Sequence, residues 1–100
     1  MTLPIRLSPL ARDDLREARR WYNSRTRSLG SRFTRAVDLC LERIQQFPEA
    51  APVVHPSVRR ALVQTFPYAV FYTFDEREIV VLAVLHSRRS LEAWQSRLLH

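Results

Sequence analysis

RRALVQTFPYAVFYTFDEREIVVLAVLHSRR, residues 59 to 89, contains three β-rich runs in succession and closes on a histidine followed by two arginines. Tyr68 to Phe74 and Ile79 to His86 are dense in Val, Ile, Phe and Tyr, with only Asp75-Glu76-Arg77-Glu78 between them. Two such runs joined by a short charged link predict a β-hairpin. Ile79 to Leu85 is continuously apolar rather than alternating, so it is expected to be a central strand covered on both faces. Arg60 to Phe66 supplies the preceding strand, turned back at Phe66-Pro67-Tyr68. The sheet is therefore the core, and its far end, around His86, is where function is sought.

Two helices upstream provide the cover. Ser8-Pro9 reads as a helix start, because a serine hydroxyl can cap free N–H groups and proline tolerates the first helical position. Ala11, Leu15, Ala18 and Tyr22 follow at helical spacing, flanked by Leu10 and Trp21, which predicts a helix from Pro9 to about Asn23. Its outer face carries Arg12, Asp13, Arg16, Glu17, Arg19 and Arg20, where Asp13 with Arg16 and Glu17 with Arg20 can pair three residues apart. After the polar link Asn23 to Ser28, the apolar positions Leu29, Phe33, Ala36, Val37, Cys40, Ile44 and Phe47 step by three or four until Pro48 stops them. Two helices joined so closely form an αα-hairpin whose apolar stripes lie on the sheet.

The remaining segments are shorter. Leu3 to Leu7 alternates and can be a strand, with Pro4 placing it at an edge or a strand end. Pro48 to Ser57 holds three prolines and reads as an irregular connection, with His55 as an exposed loop residue. Ser87 or Ser90 can cap a last helix from Leu91 to about Leu98. The expected order is β-α-α-β-β-β-α, an α+β fold in which the later strands form an antiparallel sheet, with no repeat and no second domain.

Composition narrows the functional classes. One hundred residues suffice for one core without metal or disulfide staples. Cys40, the single cysteine, lies on the buried helix stripe and is expected to be a core residue, not a nucleophile. No run approaches the length of a membrane span and no secretory signal pattern is present, so a cytosolic location is expected. No metal or cofactor site is expected. The formal net charge is +6, and all sixteen basic residues are arginine. Arginine keeps its charge at physiological pH and presents a planar fork suited to phosphates and carboxylates, so a polyanion or an acidic partner is implied.

Pro9, Leu10, Ala11, Asp14 and Leu15, the Trp21-Tyr22 pair, Pro48, Arg60 and the run FPYAVFYTF to IVVLAVLHSRR, taken in order, resemble the RelE/ParE superfamily of bacterial toxins. The resemblance covers nearly the whole chain as one toxin domain. It implies the toxin half of a type II toxin–antitoxin module, a growth inhibitor with a part in plasmid stabilization. It also implies neutralisation in a hetero-oligomer with a small, acidic, DNA-binding antitoxin.

Within that superfamily, RelE-like members cut messenger RNA on the ribosome. That chemistry needs a proton acceptor, a proton donor and positive charge on the phosphate. They often place an arginine directly after the tyrosine opening the middle strand; here that position is Ala69. His86, Arg88 and Arg60 are the catalytic candidates if this chain is RelE-like. ParE-like members instead poison DNA gyrase and lack that nuclease set, and the resemblance favours this side; the chain is then no enzyme if ParE-like and an endoribonuclease if RelE-like. Arg60, Tyr68, His86, Arg88, Arg89, Trp94 and Arg97 are then target-binding candidates. Arg12, Arg16 and Arg20 are candidates for receiving the antitoxin. A different class, a non-toxic basic module binding nucleic acid or protein, would use the arginine face and stacking by Trp21 and Tyr22. Core spacing favours burial of that aromatic pair.

Overall fold

The computed structural model describes residues 2–88 and Arg97. The order is β1 (Ile5–Leu7), α1 (Pro9–Arg25), α2 (Leu29–Gln46), β2 (Val53–His55), β3 (Val58–Leu62), β4 (Tyr68–Phe74) and β5 (Ile79–His86). The five strands form one sheet in the order β1-β5-β4-β3-β2. Strands β2 to β5 pair antiparallel, and β1 joins the edge parallel to β5, so the sheet is mixed. The α+β arrangement agrees with expectation; the expected last helix, Leu91 to Leu98, lies outside the described residues except at Arg97.

Local chemistry sets the helix ends. Ser8 Oγ accepts the Ala11 N–H at 3.1 Å, and Pro9 occupies the first helical position, as the sequence implies. The start of α2 is different. Ser28 is left-handed, with φ of 69°, and makes no capping bond. Asn23, still within α1, accepts the Gly30 N–H at 2.9 Å instead. A Cβ at position 30 would overlap that carboxamide, which accounts for the only glycine in the chain. One side chain thus caps the second helix from the first, and fixes the hairpin geometry.

Three expectations need correction. The connection Pro48 to Ser57 contains β2, a short edge strand running into the two-residue turn Pro56-Ser57, so His55 is a half-buried strand residue. Proline on either side of so short a strand masked its signal, and both short length and proline suit an edge. Strand β3 ends at Leu62, earlier than expected, because Thr65 is left-handed in the loop and the Val63 N–H closes the turn on Tyr68 O at 2.9 Å. Phe47 leaves the apolar stripe: as the C-cap of α2, with φ of −137°, it is 65 % exposed.

Strand β5 is buried on both faces through a β-bulge. Phe71 pairs with Ala83 while Tyr72 pairs with Val81, which leaves Leu82 without a partner opposite. The extra residue reverses which side each later side chain faces. Ile79, Val81 and Val84 therefore join the helices in the larger cluster, with Phe33, Val37 and Tyr72. Ala83 and Leu85 join Val58, Ala69 and Phe71 in a second cluster on the opposite face. The unbroken apolar run in the sequence is the signature of this two-sided burial.

Polar contacts order the links. Tyr72, fully buried, donates its hydroxyl to Pro48 O at 2.7 Å, and Arg59 donates to the carbonyls of Glu49 and Ala51, both at 2.8 Å. Asp75 closes the β4–β5 turn by accepting the N–H groups of Arg77 and Glu78, at 2.7 and 2.9 Å. Those bonds hold the Asp75 carboxyl below its usual value.

Candidate functional site

The end of the hairpin gathers several of the predicted site residues. Tyr68, opening β4, lies opposite His86, closing β5, with ring centroids 5.6 Å apart and an edge-on arrangement. The Ser87 N–H donates to Pro67 O at 2.8 Å, which holds the chain beyond β5 against the β3–β4 turn. Arg60 reaches this end from β3 and donates Nη2 to Ser87 O at 3.4 Å. The Arg88 N–H points at His86 Nδ1, 3.2 Å away. A backbone N–H can only donate, so Nδ1 accepts, and the neutral ring carries its proton on Nε2. Arg60, Tyr68, His86 and Arg88 thus share one corner.

On the helix side of this corner lies a groove of about 360 Å³ between α1 and the ends of β4 and β5. Its walls include Asp14, Glu17, Trp21, Tyr22, Tyr68 and His86. Tyr22 and Tyr68 are anchored from below by Phe33 and Phe66, with ring centroids 5.0 to 5.4 Å apart for each anchoring contact of Phe33 with Tyr22, Tyr68 and Phe66. Burial was expected for the whole aromatic pair on α1, and it holds for Tyr22 but not Trp21. Tyr22 is buried, while Trp21 is 51 % exposed, with the Arg25 guanidinium 4.7 Å from its ring centroid.

Arg97 is engaged internally. Nη1 lies 2.7 Å from Asp14 Oδ2 and 3.0 Å from Leu82 O, and Nη2 lies 3.0 Å from Asp14 Oδ1. Asp14 also accepts the Val84 N–H at 2.9 Å. Strand β1 pairs with β5 only as far as Val81, so these contacts satisfy the edge groups beyond it. Sequence reasoning did not assign Asp14 this role. Its signal was an aspartate on the apolar stripe, three residues after Ala11 and four before Ala18. The other late candidates, Arg89 and Trp94, lie outside the described residues.

The antitoxin candidates Arg12, Arg16 and Arg20 are all exposed on α1, and Arg16 pairs with Asp13 at 3.5 Å. The expected Glu17–Arg20 pair does not form among the described residues. Arg12 and Arg16 border a shallow groove of about 250 Å³ between the two helices, together with Leu15, Thr34 and Val37. Arg19, passed over in the sequence, lines it where Arg20 does not.

Cys40 is buried as expected, and burial raises its thiol pKa. Among the described residues no cluster of three His, Cys, Asp or Glu side chains could hold a metal, and no helix is long and apolar enough to cross a membrane. The corner at His86 offers an imidazole donor and arginine side chains, equipment for binding an anionic or polar macromolecular surface.

A solved structure described as the chromosomal ParDE TA system from P. aeruginosa matches with a TM-score of 0.62 at 16 % identity, covering 85 % of this chain and 96 % of that one. The family model for the ParE toxin of the type II toxin–antitoxin system parDE matches residues 5–91, and the chain belongs to this family. No curated protein sequence matches it.

Proposed function

We propose that this chain is the growth-inhibiting toxin of a type II module, that it acts in the cytoplasm by poisoning DNA gyrase, and that a cognate acidic antitoxin neutralises it. Membership of the ParE family supports the class of action. The observation that carries the choice of target is Ala69. It is fully buried in β4, opposite Leu62 on one side and Leu85 on the other, at the position where RelE-like members often carry an arginine. A methyl group packed in the smaller apolar cluster cannot hold a phosphate, so the electrostatic stabilisation that RNA cleavage requires is absent from that position.

Arg60, Tyr68, His86 and Arg88 then act as contact residues on one corner of the sheet. Arg12 and Arg16, with Arg19 beside them, then receive carboxylates from an acidic helix laid along the hairpin groove, a role supported by the three arginines lining it. Strong positive charge speeds the encounter with such a partner.

The test is to add the purified chain to gyrase and supercoiled plasmid and to quantify trapped cleaved DNA, alongside transcript integrity in arrested cells. Accumulated gyrase–DNA complexes with intact transcripts are expected. Cut transcripts without trapped gyrase would transfer the assignment to ribosome-dependent cleavage by His86, Arg88 and Arg60. Normal growth on expression without an antitoxin would remove the toxin role.

A further inference from the structure

We propose that the groove between α1 and the ends of β4 and β5 binds one unpaired nucleobase of a single-stranded nucleic acid, guanine in preference to the others.

The groove is walled by a run of aromatic rings inclined to one another by 84°, 59° and 64°, so that a flat ligand can meet the face of one ring and the edge of the next. Its rings follow one another from Trp21 to Tyr22 at 5.0 Å, from Tyr22 to Tyr68 at 6.0 Å and from Tyr68 to His86 at 5.6 Å. The two inner rings are wedged against Phe33 and Phe66, so the wall is formed before any ligand arrives. The two outer rings, the indole and the imidazole, are left exposed. Half-exposed aromatic surface beside a groove of about 360 Å³ suits a flat, polar heterocycle, and small-ligand sites begin at roughly 300 Å³.

The polar groups select among heterocycles. Glu17 stands one helical turn before Trp21 on the same face and makes no hydrogen bond or ion pair among the described residues. Asp14, in the same groove, is already occupied by Val84 and Arg97. The Arg88 N–H occupies His86 Nδ1, leaving Nε2–H as a donor. The groove therefore offers one free carboxylate acceptor and one imidazole donor. Guanine presents two adjacent donors, N1–H and N2–H, for a carboxylate, and O6 as an acceptor for an N–H. Adenine and cytosine present a ring-nitrogen acceptor beside their amino group, which a carboxylate opposes.

The surrounding charge selects the polymer. Arg20 and Arg25 lie within one turn of Trp21, and Arg88 follows His86, so phosphates on either side of a bound base meet guanidinium groups. The same arginines disfavour a cationic side chain as the occupant, despite the aromatic wall. The groove shares Tyr68 and His86, with Arg88 beside them, with the corner proposed to contact the target, and the inference goes beyond that reading.

Fluorescence anisotropy of the purified chain tests it, using labelled strands of roughly eight abasic units that carry one central base, on deoxyribose and on ribose backbones. The guanine strand is expected to bind about tenfold tighter than the wholly abasic strand, as stacking of one base implies. Trp21→Ala should lower the guanine strand to the abasic level and leave the abasic affinity unchanged, while Trp21→Phe should keep most of the difference. Glu17→Gln should abolish the preference for guanine over adenine. The two backbones separate a DNA source from an RNA source. Equal binding of guanine and abasic strands would reduce the effect to attraction of any polyanion and overturn the proposal. So would Trp21→Ala weakening every strand alike, or changing only the affinity for a protein partner.

Discussion

Arg97 grips Asp14 through two parallel contacts, 2.7 and 3.0 Å long, and so ties a residue late in the chain to the first helix. Their side chains are only 16 % and 10 % exposed. The pair also covers the edge of β5 beyond β1, where Asp14 takes the Val84 N–H and Arg97 takes Leu82 O. The bulge that turns Leu85 toward the opposite face is thus held in place by an ion pair outside the sheet.

Removing one partner strands the other. Asp14→Ala leaves a largely buried guanidinium without its carboxylate and Val84 without an acceptor, and is expected to cost about 3 kcal/mol. Asp14→Asn keeps an oxygen for Val84 and should cost less. Urea unfolding of the two variants checks the order; equal losses would show that the charge, not the backbone contact, carries the stabilisation.

Gly30 is constrained by its neighbour, not by its backbone angles. Gly30→Ala ordinarily favours a helix, but here the new Cβ displaces Asn23 from its capping bond, with a net loss of about 1 kcal/mol. In Asn23→Ala the obstruction is gone, so adding Gly30→Ala to that background should be neutral or stabilising. A double-mutant cycle by thermal unfolding measures this change of sign.

Tyr72 links stability to alkaline pH. Burial is the main cause that raises its pKa above the ordinary value of 10.0, so the folded state holds the proton where the unfolded chain releases it. This contribution is fully present below pH 10.0 and is lost as pH rises through the higher folded value. Tyr72→Phe loses the bond to Pro48, at about 1 kcal/mol near neutrality. Above pH 10 its stability should fall less steeply than that of the wild type, which unfolding midpoints across that range will show.

The arginine row on α1 predicts how an antitoxin is held. Reversing Arg12, Arg16 and Arg19, the three arginines that border the groove between the helices, to glutamate is expected to weaken the complex with the cognate antitoxin by more than tenfold and to flatten its salt dependence. These side chains are exposed, so the fold should be unaffected. Titration calorimetry at two ionic strengths is the measurement; an unchanged affinity would move the contact elsewhere on the hairpin.

Periodicity determined most of what is local in this protein. The two helices, the hairpin from Tyr68 to Phe74 and Ile79 to His86, and the burial of Cys40 follow from which side chains must avoid water at spacings of 3.6 and 2. The ordered set of residues also carried the family resemblance. Tertiary structure alone decided the parallel docking of β1, the edge strand β2, the bulge at Leu82, the exposure of Trp21 and the retention of Arg97 by Asp14. Each depends on partners far apart in the chain, such as Asp14 and Val84, whose meeting leaves no periodic trace. A charged or aromatic residue reads alike on a surface and in a site until the fold brings, or withholds, the group that satisfies it.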